Sequence, residues 1–302
     1  VDFSTFAAEL SRWHPRGDEN VIAVAEIDST NLLARRIAVE YEDERQNLPR
    51  AYLFAWEQSA GRGREKRQWA SPAGKGVYAT LLTWIADPTH LAALPLLAGV
   101  ALCRGLAPLL PQGEGVVDSF GPQRRAAAEG ARRSEEANES TAERGPRLKW
   151  PNDVLVGGKK IGGLLIEAAL RTDEGAIVML GFGVNHSHRP EDLPIQAATS
   201  LEIEGGSASL SELAAHLAAA LEQELEHLGD AAYAVAAYRE LSAHKVGDRL
   251  VCRMGERTIA GTFLGFDDAG GLRLATGAVP LDALPGAPPQ EEITISAGEV
   301  IA

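Results

Sequence analysis

The chain has 302 residues, 45% of them hydrophobic, and a formal net charge of −13. That length and apolar content suffice for one or two buried cores, and the acidic balance excludes the broad basic surface that general nucleic-acid binding requires. Two cysteines, Cys103 and Cys252, make no disulfide framework and fit a reducing compartment; no apolar run reaches bilayer-spanning length, and the first twenty residues show no secretory signal.

In chain order, VIAVAEI (21–27) reads as a strand and DSTN (28–31) as a helix start before LLARRIAVEY. AYLFAWE (51–57) and GVYATLLTWI (76–85) read as strands on either side of the basic stretch GRGREKRQW (61–69). Residues 91–110 are Leu/Ala-rich and predict a buried helix. Residues 121–147 contain no Val, Ile, Leu, Met or aromatic residue, so they have nothing to bury and are expected to form a mobile insertion without a catalytic role. VLVGGKKIGGLLIEAAL (154–170) reads as two strands joined by a Gly-Gly turn, and AIVMLGFGVN (176–185) as a third. The clearest helix is 209–228, where Ser209 and Glu212 have capping-box spacing and leucines recur with helical period. After about residue 243 short strand runs alternate with Gly/Asp turns, the pattern of a small β barrel or sandwich. The expected organisation is an α+β domain over residues 1–243 and a β module over 244–302.

Two stretches carry chemistry. Residues 61–75 hold five cations and one anion among glycines. Such a loop is either an anion cradle, with backbone N–H groups and guanidinium forks converging on phosphate or carboxylate, or a solvated turn. It is not a P-loop, because Gly74-Lys75 is followed by Gly76, and not a dinucleotide fingerprint, because Lys66 stands where a third glycine is needed. The second stretch, KWPND (149–153), opens a motif reaching Glu167. Asn152 and Asp153 offer oxygen ligands to a hard cation such as Mg²⁺, or simply cap a turn. His186 and His188 have zinc-like H-x-H spacing, but no Cys or acidic residue is suitably placed nearby, so a metal pair is not expected.

Taken together, DSTN (28–31), EQSAGRGREKRQWASPAGKGVY (57–78), KWPNDVLVGGKKIGGLLIE (149–167) and GFGVNH (181–186) resemble the biotin protein ligases in composition and order. The closing ITISAGEVI (293–301) resembles the end of that family's C-terminal domain. The resemblance implies a class II aminoacyl-tRNA-synthetase-like catalytic domain, a mixed sheet with flanking helices, followed by a small SH3-like β-barrel. It implies that ATP, with Mg²⁺, activates biotin to biotinoyl-5′-AMP, and that biotin then passes to a lysine of a biotin carboxyl carrier domain of an acyl-CoA carboxylase. A cytoplasmic enzyme, monomeric or homodimeric, is implied, with no membrane or nucleic-acid partner. With only 27 residues before DSTN, no DNA-binding domain is expected.

By the same resemblance Ser29, Thr30, Asn31 and Gln58 are biotin contacts, joined by Arg62, Gly63 and Arg64 of the covering loop. Arg64, Lys160 and Lys149 are the catalytic cations, with Lys160 at the reacting carboxylate. Arg67, Trp69, Lys149, Asn152 and Asn185, together with Arg62 and Arg64, take the ATP and adenylate, and Asp153 the Mg²⁺. Lys66 departs from the family, which commonly has glycine there. The alternatives are a lipoate ligase or octanoyl transferase on a related fold, and a biotin or adenylate sensor without turnover.

Overall fold

The structure is a computed structural model and describes residues 2–13, 20–41, 43, 47–111, 145–276 and 291–301. Most of the expected insertion, residues 121–144, lies outside the described residues. Its last residue, Arg147, already belongs to a strand, so the insertion ends earlier than the composition suggested.

Seven strands form the main sheet: β1 (Asn20–Ile27), β2 (Ala51–Gln58), β3 (Gly76–Ile85), β4 (Arg147–Lys149), β5 (Asp153–Val156), β6 (Lys159–Thr172) and β7 (Gly175–Asn185). Their spatial order among the described residues is β1-β2-β3-β7-β6-β5-β4. β1 and β2 are parallel and the other neighbours antiparallel, so the sheet is mixed. A parallel pair needs a crossover, and α2 (Thr30–Glu40) supplies it. Its N-terminus therefore lies directly past the end of β1, which places Ser29, Thr30 and Asn31 at the sheet's C-terminal rim.

The sheet's two faces are covered unequally. Tyr52 and Phe54 on β2 point into the larger core with α1 (Phe3–Leu10), α3 (Leu94–Leu106) and α4 (Leu210–Leu225). Ala51 and Leu53, alternating with them, meet Ala34 and Ala38 of α2 together with Leu82, Ile177 and Met179. α3 is nearly all buried and carries Gly105 where α4 crosses it; a Cβ there would stand 2.9 Å from the His216 carbonyl oxygen. α4 starts with the expected capping box: the Glu212 N–H donates to Ser209 Oγ and the Ser209 N–H to Glu212 Oε2. It ends at Leu225, short of the expected 228, and the chain turns into α5 (Ala231–Leu241), capped by Asp230. Neither α5 nor α1 was marked by the sequence reading.

The C-terminal residues form a five-stranded antiparallel sheet of β8 (Arg249–Met254), β9 (Arg257–Phe266), β10 (Leu272–Thr276), β11 (Glu291–Ile295) and β12 (Glu299–Val300), ordered β11-β10-β9-β8-β12. It docks on the KWPND segment. The Trp150 indole N–H donates to the Gly270 carbonyl at 3.1 Å, and the Trp150 backbone N–H donates to His244 Nε2 at 3.2 Å. Among the described residues no helix is long and apolar enough to cross a membrane.

The acceptor role of His244 requires a neutral ring. Burial, with the Lys149 charge adding to it, pushes its pKa down to about 4. A depressed histidine contributes stability that is complete above the unfolded value of about 6.5 and is lost as pH falls toward 4. At about 1.4 kcal/mol per pKa unit the loss reaches at most about 3 kcal/mol. His244→Gln is expected to be less stable than the wild type at pH 7.5 and nearly equal to it at pH 4.5. Urea unfolding of both proteins across that range checks this; parallel stability curves would reject it.

Candidate active site

The cavity begins where α2 ends its cover. On β7 the residues facing α2 run Ile177, Met179, Gly181, Gly183 and Asn185; the first two pack under the helix, and the glycines leave the next part of the sheet bare. Their partners show why side chains are excluded. A Cβ on Gly181 would lie 2.1 Å from Asn31 Oδ1, and one on Gly183 would lie 2.6 Å from the Trp69 ring. Gly183 pairs with Gly163 on β6, which in turn pairs with Asp153 on β5. This glycine floor runs under a cavity of about 560 Å³.

At the α2 end, Ser29 is the N-cap, but its side chain makes no capping hydrogen bond. The residue lines the cavity. Gln58 Oε1 accepts from the Thr30 N–H at 2.9 Å, and Gln58 Nε2 donates to Ser71 Oγ at 2.8 Å. Asn31 is used up differently. Its amide donates to the Leu165 carbonyl and to Glu167 Oε2, while its Oδ1 is 2.6 Å from Thr80 Oγ1. With both N–H bonds spent, it orients its neighbours.

The basic loop arches over the same cavity. Arg62 pairs with Glu167 at 2.8 Å, and Arg64 Nη1 donates to Asn152 Oδ1 at 3.2 Å. Arg67 pairs with Glu299 of β12, which also holds Arg253 of β8. The hydrogen bond that Arg67 donates to Glu299 raises the Arg67 pKa. Desolvation pushes the Glu299 carboxyl up, but Arg67 and Arg253 outweigh it and hold the group below its usual value. Glu65 and Lys66 sit at φ of 54° and 61°, the left-handed region in which glycine is least strained. That is the physical reason a glycine suits position 66. Trp69 lies on Gly183 with the Lys160 ammonium 5.3 Å from its ring centre.

The KWPND side completes the wall. Lys160 Nζ is 2.7 Å from Asp153 Oδ1, and Asn152 Nδ2 donates to the Leu164 carbonyl. The Asn185 amide donates to the Thr199 carbonyl at 2.9 Å. Every residue that the resemblance assigned to biotin, ATP or the metal, Gly63 and Lys149 included, lines this one cavity. The metal reading fits less well. The oxygen of Asn152 is held by Arg64, and one carboxylate oxygen of Asp153 by Lys160. Among the described residues no three His, Cys, Asp or Glu side chains gather as a metal site. β7 also stops at Asn185, so His186 and His188 do not share a strand face.

Sequence reasoning missed several cavity neighbours. Thr80 joins Thr30 to Asn31; its signal was a small hydroxyl side chain in an apolar strand. Glu167 follows Gly163 and Leu165 on the same side of β6. Glu299 comes from the far end of the chain and has no local signal. His188, buried and lowered in pKa first by desolvation, also lines the cavity.

Residues 25–185 match the biotin/lipoate A/B protein ligase family. A biotin–[acetyl-CoA-carboxylase] ligase of Paracoccus denitrificans is 29% identical, across 83% of this chain and 92% of that protein. One from Mycobacterium tuberculosis is 28% identical, across 92% and 87%. The bifunctional ligase/repressor BirA of Bacillus subtilis is 28% identical, but the match spans only 65% of that longer protein. A biotin protein ligase from Aquifex aeolicus, solved with biotin and ATP, shares the fold with a TM-score of 0.61, at 24% identity over 93% of this chain and 97% of that one. The family model spans more than half of the chain: the chain belongs to the biotin/lipoate A/B protein ligase family.

Proposed function

We propose that the chain is a biotin protein ligase, which activates biotin with ATP and transfers it to a lysine of a biotin carboxyl carrier domain. The observation that carries this reading is the meeting of two cationic segments, distant in sequence, around one cavity: Arg64 of the loop and Lys160 of β6. A carboxylate and a triphosphate repel each other, and the reaction requires one to attack the other's α-phosphorus. Fixed cations lower that repulsion and stabilise the charge that grows in the transition state. Names of relatives that carry this activity agree with the site's chemistry.

The ureido end of biotin lies toward Ser29, Thr30 and Gln58, whose hydroxyls and amide match a group that both donates and accepts. Its carboxylate reaches Lys160 and Arg64. Lys149, Asn152, Asn185, Arg67 and Trp69 take the nucleotide, with Arg62 and Gly63 covering both biotin and the adenylate. The carboxylate oxygen bonds to the α-phosphorus and pyrophosphate leaves. The carrier's amine then bonds to the acyl carbon and AMP leaves. Asp153 is the residue that would hold Mg²⁺, which would neutralise phosphate charge when bound. Covering by the loop keeps water from the mixed anhydride.

The fold assignment in finer detail is part of the same proposal: a class II synthetase-like domain to residue 243 and an SH3-like module from 244, acting in the cytoplasm. A thiol-dependent acyl transferase is disfavoured by burial. Cys103 is 1% exposed in α3 and Cys252 fully buried in β8, and desolvation raises both thiols away from the reactive thiolate.

Purified protein is expected to exchange labelled pyrophosphate into ATP only when biotin is present, and to add one biotin to a carrier domain, read by mass spectrometry. Folded protein that exchanges with lipoate instead would refute the assignment. Lys160→Ala is expected to lower exchange by about 10²–10³-fold, the usual cost of losing one charge-stabilising donor, and an unchanged rate would remove Lys160 from the chemistry. Arg64→Ala is expected to release the activated acid into solution, seen as untargeted acylation of added bystander protein. Retention of the intermediate equal to wild type would overturn that role.

A further inference from the structure

The Glu167 carboxylate is not needed by the reaction as described, and it does not line the cavity, yet three side chains from two elements end on it. From α2, the Asn31 amide donates to its Oε2 at 2.9 Å, and the Arg35 guanidinium stands 3.5 Å from its Oε1. From the basic loop, Arg62 reaches the same Oε2 at 2.8 Å. Glu167 itself stays on β6, whose pairing to β7 holds its backbone opposite Met179. It is the fixed point in a polar chain that runs from Gln58 through Thr30, Thr80 and Asn31 to Arg62.

We infer that Glu167 is a positioning residue for the covering loop. Its carboxylate sets which way the Asn31 amide faces and holds Arg62 down over the biotin end of the cavity. The inference rests on the ligase reading of the site. Magnitudes separate this role from a purely structural one. The Arg62 side chain is 39% exposed and that of Glu167 18%, and a pair so open to solvent contributes only about 0–1 kcal/mol to folding. The pair therefore does little for stability. Its effect lies in the loop's position, and so in how long biotin and the adenylate are retained.

Asn31 makes the same demand. Its Oδ1 meets the Thr80 hydroxyl and its Nδ2 the Leu165 carbonyl and Glu167. A flipped amide would set its oxygen against two acceptors, the Leu165 carbonyl and the Glu167 carboxylate, so these two together fix the orientation. Replacing Glu167 by Gln keeps the size but removes the charge that draws Arg62, and supplies a competing amide.

The test is a double-mutant cycle in biotin-dependent pyrophosphate exchange with wild type, Glu167→Gln, Arg62→Ala and the double variant. Each single variant is expected to raise the KM for biotin about tenfold with kcat within about twofold, and to leave the melting temperature nearly unchanged. The double variant is expected to match the single ones instead of multiplying them. Independent, multiplying effects, or a wild-type KM in Glu167→Gln, would overturn the inference while leaving the ligase reading intact. No exchange by the wild type would instead remove the ligase reading, and this inference with it. Should Glu167→Gln fold poorly, Arg62→Lys serves as a second probe: a charge-held loop retains KM within about threefold, and a loss equal to that of Arg62→Ala rejects the pairing.

Discussion

The unequal covering of the main sheet is the constraint on which the rest of the molecule depends. One face is roofed along most of its width by α1, α3 and α4. Among the described residues the other is roofed by the single helix α2, which makes the crossover between the parallel strands β1 and β2. Beyond α2 the sheet would expose apolar surface to water if it carried ordinary core side chains. Instead, β7 changes from Ile177 and Met179 to Gly181 and Gly183, and the loop side chain of Trp69 lies down on the bare backbone. The cavity is thus the part of a normal sheet–helix core from which the helix and the side chains were both withheld. Polar residues at its edges need no burial of their own; they sit where the helix starts and where the strands run out.

The same geometry explains how a strongly acidic chain keeps a cationic site. Four of the cations at the cavity's rim have a partner in place: Arg62 with Glu167, Arg64 with Asn152, Arg67 with Glu299 and Lys160 with Asp153. These partners hold the cations in fixed directions and reduce their mutual repulsion. Most are partly exposed, so each pairing is weak in free energy, and an incoming carboxylate or phosphate can take over the cation at small cost. Preorganised donors that need little rearrangement are what charge stabilisation in a transition state demands.

Much of this was legible in the residues. The strands and the capped helix from Ser209 follow from periodicity and capping chemistry, and the strand-turn-strand around Gly157 and Gly158 from their need for positive φ. The loop and KWPND motifs located the site. Other parts were not legible for identifiable reasons. α1 and α5 are short, and their apolar faces acquire meaning only against α4 and the C-terminal sheet. The role of Gly181 and Gly183 was not legible, because it depends on Asn31 and Trp69, residues far away in the chain. The twofold spending of Asn31's amide hydrogens could not be seen without its neighbours either. A residue type that suits a ureido group proved equally suited to orienting Thr80 and Glu167.

The C-terminal sheet shows most clearly how long-range closure enters the site. Its turn at Gly270, φ +80°, accepts the Trp150 indole N–H, so the residue preceding Pro151 is fixed by a module more than a hundred positions later. Its last strand returns Glu299 to Arg67, while Arg253 from the neighbouring β8 shares that carboxylate. One acidic side chain therefore ties the covering loop to the small sheet, as another, Glu167, ties it to the large one. The loop is held at both ends of its arch by carboxylates on separate sheets. The placement of the small sheet thus becomes part of the cavity's shape: a shift at Gly270 moves Trp150 and with it Asn152, and a shift at β12 moves Arg67. The small sheet bears on the cavity through these two contacts.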